Sequence, residues 1–156
     1  MSESGVWEFV TERRVEFSDT DMEGIIHFSR YLIYLETAEH LFLNSLGSSV
    51  AATWEGEKIG WPRLSVGCEF VRPVRFEDEL KIRLLVLRKG RRSMTYGTEF
   101  SHDGRLVARG QSSCACCVME EGGGLRATDI PAPLAARIAT APAEEIERWE
   151  PPIRAL

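Results

Sequence analysis

Phe17-Ser-Asp-Thr-Asp-Met-Glu-Gly-Ile-Ile-His-Phe-Ser-Arg-Tyr31, continuing as LIYLETAEHLFLNSLG to Gly47, joins a polar loop to an amphipathic helix. Tyr31, Tyr34, Leu35, Ala38, Leu41, Phe42 and Leu46 recur in steps of three and four, which places them in one stripe on a helix spanning about 29–46. The other face carries Arg30, Glu36, Glu39, His40 and Asn44, and Gly47 is a natural stop. No other part of the chain has so long an amphipathic helical pattern.

Outward from this helix the pattern changes to strands. Upstream, 6–17 alternates and is rich in β-branched and aromatic residues. Downstream, 62–71, 79–88, 93–102 and 106–119 read as strands, with Pro73, Gly90 and the hairpin signal Asp103-Gly104 between them. A short helix is expected at 49–54 and another at 133–140, and Gly122-Gly123-Gly124 is expected to close the β region. One helix cannot cover several separate sheets, so the economical packing is an α+β domain: one antiparallel sheet wrapped around the helix. The remaining sheet face and edges then need cover, which points to a dimer or larger assembly. The domain is expected over 1–141, with 142–156 a C-terminal tail, mobile or packed on a neighbouring subunit.

Composition narrows the function. The 156 residues fit one domain of ordinary composition, 44% hydrophobic and 28% charged. Nineteen basic against 24 acidic residues give a net charge of −5, which disfavours a general nucleic-acid binder. No apolar run approaches the roughly 18–20 residues of a membrane span, and the first residues lack a secretory pattern, so a cytoplasmic protein is expected. Cys114, Cys116 and Cys117 crowd one apolar run, with Cys68 apart. That spacing suits neither a disulfide framework nor a zinc site, and small buried hydrophobes are expected. There is no Gly-x-Ser-x-Gly elbow, phosphate loop or HExxH motif.

The chemistry is expected in the loop. Asp19 and Asp21 lie two apart, Gly24 permits a tight turn, and the helix starts near Phe28. A helix start exposes unpaired N–H groups that can polarise a carbonyl. A nearby carboxylate can attack that carbonyl or activate water towards it. The same two Asp residues are also ordinary loop and capping residues, and spacing alone does not separate these roles.

The run VEFSDTDMEGIIHFSRYLIYLETAEHLFL resembles the first strand, loop and helix of hotdog-fold acyl-CoA thioesterases, specifically the 4-hydroxybenzoyl-CoA thioesterase-like family. Phe17, Asp19, Asp21, Gly24, Ile25, Ile26, Tyr31 and Glu36 fall in its pattern. CEFVRPVRFEDELKI, GRRSMTY and GLRATDIPAPL resemble later family segments, so the likeness spans about 10–138. The resemblance implies that Asp21 is the catalytic carboxylate, as nucleophile or general base. It implies that the Phe28 backbone N–H polarises the thioester oxygen, that Gly24 lets backbone approach substrate, and that Asp19 orders the loop. Arg91, Arg92 and Ser93 match positions near the family's coenzyme A site, with Arg88 and Lys89 adding charge. Tyr31, Trp54, Trp61 and Phe70 are candidates to shape an acyl pocket for an aromatic or small-to-medium acyl group.

His27 either assists Asp21 or packs at the helix start. Glu69 either lines the pocket or faces solvent, and Glu36 is a second candidate carboxylate. The implied substrate is an acyl-CoA, with no other cofactor and no metal, and the implied assembly is a homodimer or a homotetramer. Two other readings stay open: a hotdog-fold hydratase or dehydratase, and a non-catalytic acyl or acyl-carrier binding module. The hydratase pattern D-x-N-P-x-H is absent; Asp21 and His27 are six apart with no Asn-Pro between.

Overall fold

The computed structural model describes residues 5–149. The main sheet consists of β1 (Glu8–Arg14), β4 (Arg63–Phe70), β5 (Glu79–Lys89), β6 (Ser93–His102) and β7 (Arg105–Ala115), ordered β1-β5-β6-β7-β4 and antiparallel throughout. It wraps α1 (Phe28–Ser45), which buries Tyr31, Tyr34, Leu35, Ala38, Phe42 and Leu43 against it. This is the expected hotdog arrangement. Burial of each large apolar side chain such as Leu35, Phe42 or Leu43 contributes roughly 1.5–3 kcal/mol, so the stripe on α1 anchors the fold. The helix ends as expected: Gly47 has φ +77°, and the Gly47 and Ser48 N–H groups donate to Asn44 and Leu43 carbonyls, a Schellman closure.

Several expectations are corrected. The first strand stops at Arg14, because Glu16 and Asp19 cap a single 3-10 turn, Phe17–Asp19. The 49–54 helix is absent. β2 (Thr53–Trp54) and β3 (Glu57–Gly60) form a hairpin instead, turning at Glu55-Gly56, both with positive φ. The long 106–119 run breaks at Cys116: β7 stays in the main sheet while β8 (Cys117–Met119) crosses to a second sheet, ordered β2-β3-β8-β9. Gly122 and Gly123, both at positive φ, turn the chain into β9 (Leu125–Ala127) rather than ending the β region. The 133–140 helix is one turn, α2 (Ala132–Ala135).

Residues 142–149, placed by the sequence in the C-terminal tail, carry α3 (Ala143–Glu147) and lie on the same chain's outer sheet face. Trp149 is buried there with Leu85 and Leu87, over the bare backbone of Gly97. Arg83 ties α3 down through Glu145 at 3.1 Å. Residues 150–156 lie outside the described residues. No helix among the described residues is long and apolar enough to cross a membrane.

All four cysteines are free, and Cys114, Cys116 and Cys117 are buried. Burial pushes the Cys68 and Cys114 thiols up to about 12 and Cys116 to about 11. Thiolate, the reactive form, is therefore scarce at pH 8. Native protein is expected to give at most one fast equivalent with a disulfide-type thiol reagent, and four after unfolding. Rapid reaction of two or more native thiols would contradict this burial.

Candidate active site

Asp19 organises the loop between β1 and α1. It is 2% exposed, its Oδ2 accepts the Glu16 N–H at 2.9 Å, and Arg13 and Arg30 flank it at 3.7 and 3.8 Å. Its carbonyl also accepts the His27 N–H at 2.8 Å. Asp19 thus fixes where the helix begins, matching the expected ordering role. Gly24, at φ +77°, closes a tight turn in which its N–H donates to the Asp21 carbonyl, and a side chain there would be strained.

The turn presents Asp21 towards a cavity of about 310 Å³, lined by Asp21, Ile25, Phe28, Tyr31, Phe70 and Arg72 among others. The Asp21 carboxylate accepts one local bond, from the Glu23 N–H to Oδ1 at 2.9 Å. Phe28 is the first residue of α1. His27 is its N-cap and occupies the neighbouring donors: Nδ1 accepts the Ser29 N–H at 3.3 Å, and the His27 carbonyl accepts the Arg30 N–H at 2.9 Å. The Phe28 N–H has no acceptor among the described residues. Asp21 and Phe28, the residue whose helix-start N–H is open, therefore line one cavity. Such a pair can hold a carbonyl, stabilise negative charge on its oxygen, and deliver a nucleophile or base to its carbon.

Tyr31 lines the same cavity and packs on Phe70 and Phe100. Burial, helped by Cys68, raises its hydroxyl to about 12, so it stays neutral. His27 lies outside the cavity lining; it stacks on Phe28 at 4.5 Å and its Nδ1 contacts Ser29 Oγ at 2.7 Å. Strand alternation puts Glu69 on the other sheet face from Phe70, in solvent. Glu36 is exposed and pairs with Arg63 at 3.7 Å. Trp61 lines a different cavity and Trp54 packs against the core. Sequence reasoning missed Arg72 in the lining. It sits in the Phe70-Val-Arg-Pro73 turn, and its Nη1 donates to the Leu106 carbonyl at 2.7 Å.

The basic cluster is elsewhere in the chain. Arg91 and Arg92 each donate an Nε–H to Asp129 Oδ1, at 3.0 and 2.7 Å, in the turn before Ser93. They hold the Asp129 carboxyl below its usual range, Arg92 most strongly. Arg88 is exposed, and Lys89 donates to the Ala135 and Ile138 carbonyls at 2.9 and 2.7 Å. β5 starts beside the Asp21 loop, where the Asp78 carbonyl accepts the Val15 N–H, and it ends at this turn. Eleven residues separate the strand ends by about 35 Å. Within one chain, Arg88, Arg91, Arg92 and Ser93 are far from Asp21.

Comparison with known proteins agrees with this architecture. Residues 15–138 match the model of the thioesterase-like superfamily. The chain is 27% identical over 139 residues to a 1,4-dihydroxy-2-naphthoyl-CoA hydrolase of Thermosynechococcus vestitus, covering 88% of this chain and 92% of that protein. Its structure is similar to that of a gentisyl-coenzyme A thioesterase, with a TM-score of 0.74 and 27% identity over 84% of this chain and all of the other. A 4-hydroxybenzoyl CoA thioesterase from Pseudomonas sp. strain CBS-3, 23% identical with a TM-score of 0.72 over 83% of this chain and 97% of that one, shares the fold. The chain belongs to the thioesterase-like superfamily, as a thioester hydrolase of hotdog fold.

Proposed function

We propose that this protein hydrolyses an aromatic or small-to-medium acyl-CoA, using Asp21 and the start of α1. The observation that carries the reading is that Asp21 and Phe28, whose N–H is open, line one cavity. The thioester carbonyl oxygen accepts from Phe28 N–H, which with the helix start stabilises the oxyanion of the tetrahedral intermediate. Asp21 either attacks the carbonyl carbon, giving a mixed anhydride that water opens, or draws a proton from the attacking water. Both routes break the C–S bond, yield free acid and coenzyme A thiol, and consume one water. They use a carboxylate, a backbone donor and water, and no further cofactor enters. His27 lies outside the lining of the Asp21 cavity, which weighs against a hydratase that needs a histidine beside the aspartate.

The coenzyme A end of the site is assigned to a second copy. β4 is an edge strand with exposed Leu64 and Phe70, followed by exposed Val71. An open apolar edge is a template for pairing. A twofold axis through β4 pairs the two copies antiparallel. Full overlap of the eight residues sets Phe70 of one copy opposite the partner subunit's Arg63. The partner's sheet then runs in the opposite sense and brings the partner subunit's Arg91, Arg92 and Ser93 to the end where Asp21 lies. Guanidinium groups there suit the phosphates of coenzyme A.

Thiol release from aromatic, short-chain and long-chain acyl-CoAs tests the function. Release from an aromatic or small-to-medium acyl-CoA supports it. Folded protein that binds these compounds and releases nothing from any of them would make it a binding module. Replacing Arg91 and Arg92 together by Gln is expected to raise KM for acyl-CoA several-fold, and KM for a short thioester without the nucleotide much less. Equal effects on both would remove the phosphate assignment.

A further inference from the structure

A second cavity of about 230 Å³ lies beside the later turns of α1, walled by Leu43, Val50, Trp61 and Tyr96 and polar at Glu39 and Arg63. Glu39 was placed on the solvent face by sequence pattern, yet it is 6% exposed. Arg63 Nη1 donates to both of its carboxylate oxygens, at 2.8 and 2.7 Å, and Ser112 Oγ donates to Oε1. A β-bulge between Arg63 and Ser65 reaims the strand start, leaving Leu64 in solvent and Arg63 turned towards the helix. Bulges of this kind aim side chains at sites.

The hydrogen-bond inventory is incomplete in a specific way. Glu39 Oε2 accepts only Arg63, so one of its acceptor positions is open. Arg63 uses Nη1 on Glu39, while among the described residues Nη2 makes only the 3.7 Å ion pair with Glu36, too long for a hydrogen bond, and so keeps donor capacity. Burial raises the Glu39 pKa, and the Arg63 charge and the Ser112 hydrogen bond oppose that shift and favour the carboxylate. One hydroxyl can both donate to Oε2 and accept from Nη2. The apolar walls and volume suit an aromatic ring, since a cavity of about 150 Å³ already holds benzene.

Within one chain this cavity is remote from Asp21, because Glu39 is eleven residues, about 16 Å, along α1 from Phe28. The β4 pairing proposed above changes that, since it sets Phe70 of the Asp21 cavity opposite the partner's Arg63. We propose that Glu39 and Arg63 of one subunit are the specificity-determining pair for the acyl group cleaved by Asp21 of the other, selecting an aromatic acyl group with a ring hydroxyl. This rests on the dimeric acyl-CoA thioesterase reading.

The test compares benzoyl-CoA with 3- and 4-hydroxybenzoyl-CoA, reading the ratio of kcat/KM. The wild type is expected to favour at least one hydroxylated substrate, and Glu39→Gln to cut that ratio at least tenfold. If Glu39→Gln does not fold, Glu39→Gln with Arg63→Gln replaces the charged pair by a neutral one and carries the same expectation. Dimers mixed from an Asp21→Asn subunit and a Glu39→Gln subunit, isolated by two tags, then locate the pair. A composite site leaves one of the two sites fully wild type, so the mixed dimer recovers the wild-type ratio at about half the turnover. A mixed dimer with the Glu39→Gln ratio would place both groups in one chain and overturn the proposal. So would a wild-type ratio near one, or a ratio unmoved by Glu39→Gln, with benzoyl-CoA still cleaved. Absence of thiol release from every acyl-CoA would instead strike the thioesterase reading, and the inference with it.

Discussion

Asp21→Asn is expected to lower kcat for acyl-CoA hydrolysis by at least about 100-fold, the lower range for loss of a general base. The substitution removes the charge and basicity that either chemical route needs. It keeps an oxygen able to accept the Glu23 N–H, which the Asp21 carboxylate accepts at 2.9 Å. The backbone bonds of the turn, Asp21 N–H to the Ile25 carbonyl and Gly24 N–H to the Asp21 carbonyl, do not involve the side chain. Ion pairs that order the loop belong to Asp19, not Asp21. The variant is therefore expected to fold with wild-type stability, measured by thermal unfolding, while thiol release collapses. Near-normal turnover in the folded variant would remove Asp21 from the chemistry.

Phe28→Pro is expected to cost about 100- to 1000-fold in kcat, the scale of losing one oxyanion donor. Phe28 is the first helical residue, where proline fits the helix and its missing N–H breaks no internal bond. The preceding residue, His27, has φ −64° and ψ 134°, the extended conformation a following proline demands. The exchange thus deletes one N–H and one 63%-exposed side chain with little strain. Phe28→Ala keeps the N–H and is the matched control. The account expects kcat to fall far more in the proline variant than in the alanine variant. Equal losses would mean that the ring, rather than the backbone donor, carries the effect.

Much of this site was legible because its signals are local. The stripe from Tyr31 to Leu46 predicts a helix that the structure places within one residue at each end, and Gly47 closes it as the pattern requires. The two aspartates and Gly24 predict a shaped loop before it, and the buried Asp19 and cavity-facing Asp21 divide the work of that loop. What was hidden depends on contacts distant in sequence. Glu39 looks solvated on a helical wheel, and only Arg63, 24 residues on, and Ser112, 73 on, make its burial tolerable. The break at Cys116 is invisible in an unbroken apolar run, because it lies in a change of partner: Ala115 pairs with Ser93 and Cys117 with Gly60. The hairpin at Glu55-Gly56 escaped notice because glutamate at positive φ is an uncommon turn residue. Trp149 shows no periodic signal, and its burial depends on the bare backbone of Gly97.

The basic turn illustrates a different limit. Arg91 and Arg92 are conspicuous in an acidic chain, but sequence says nothing of the end of the sheet they occupy. β5 carries them away from Asp21, and in the dimer proposed above a second copy turned end for end would bring an equivalent turn back.

The most direct measurement is a crystal structure of the Asp21→Asn variant with benzoyl-CoA bound. The account predicts the thioester carbonyl oxygen about 2.7–3.1 Å from the Phe28 nitrogen, with the side chain at position 21 beside the carbonyl carbon. A thioester bound away from the start of α1, with the Phe28 N–H still open, would contradict it.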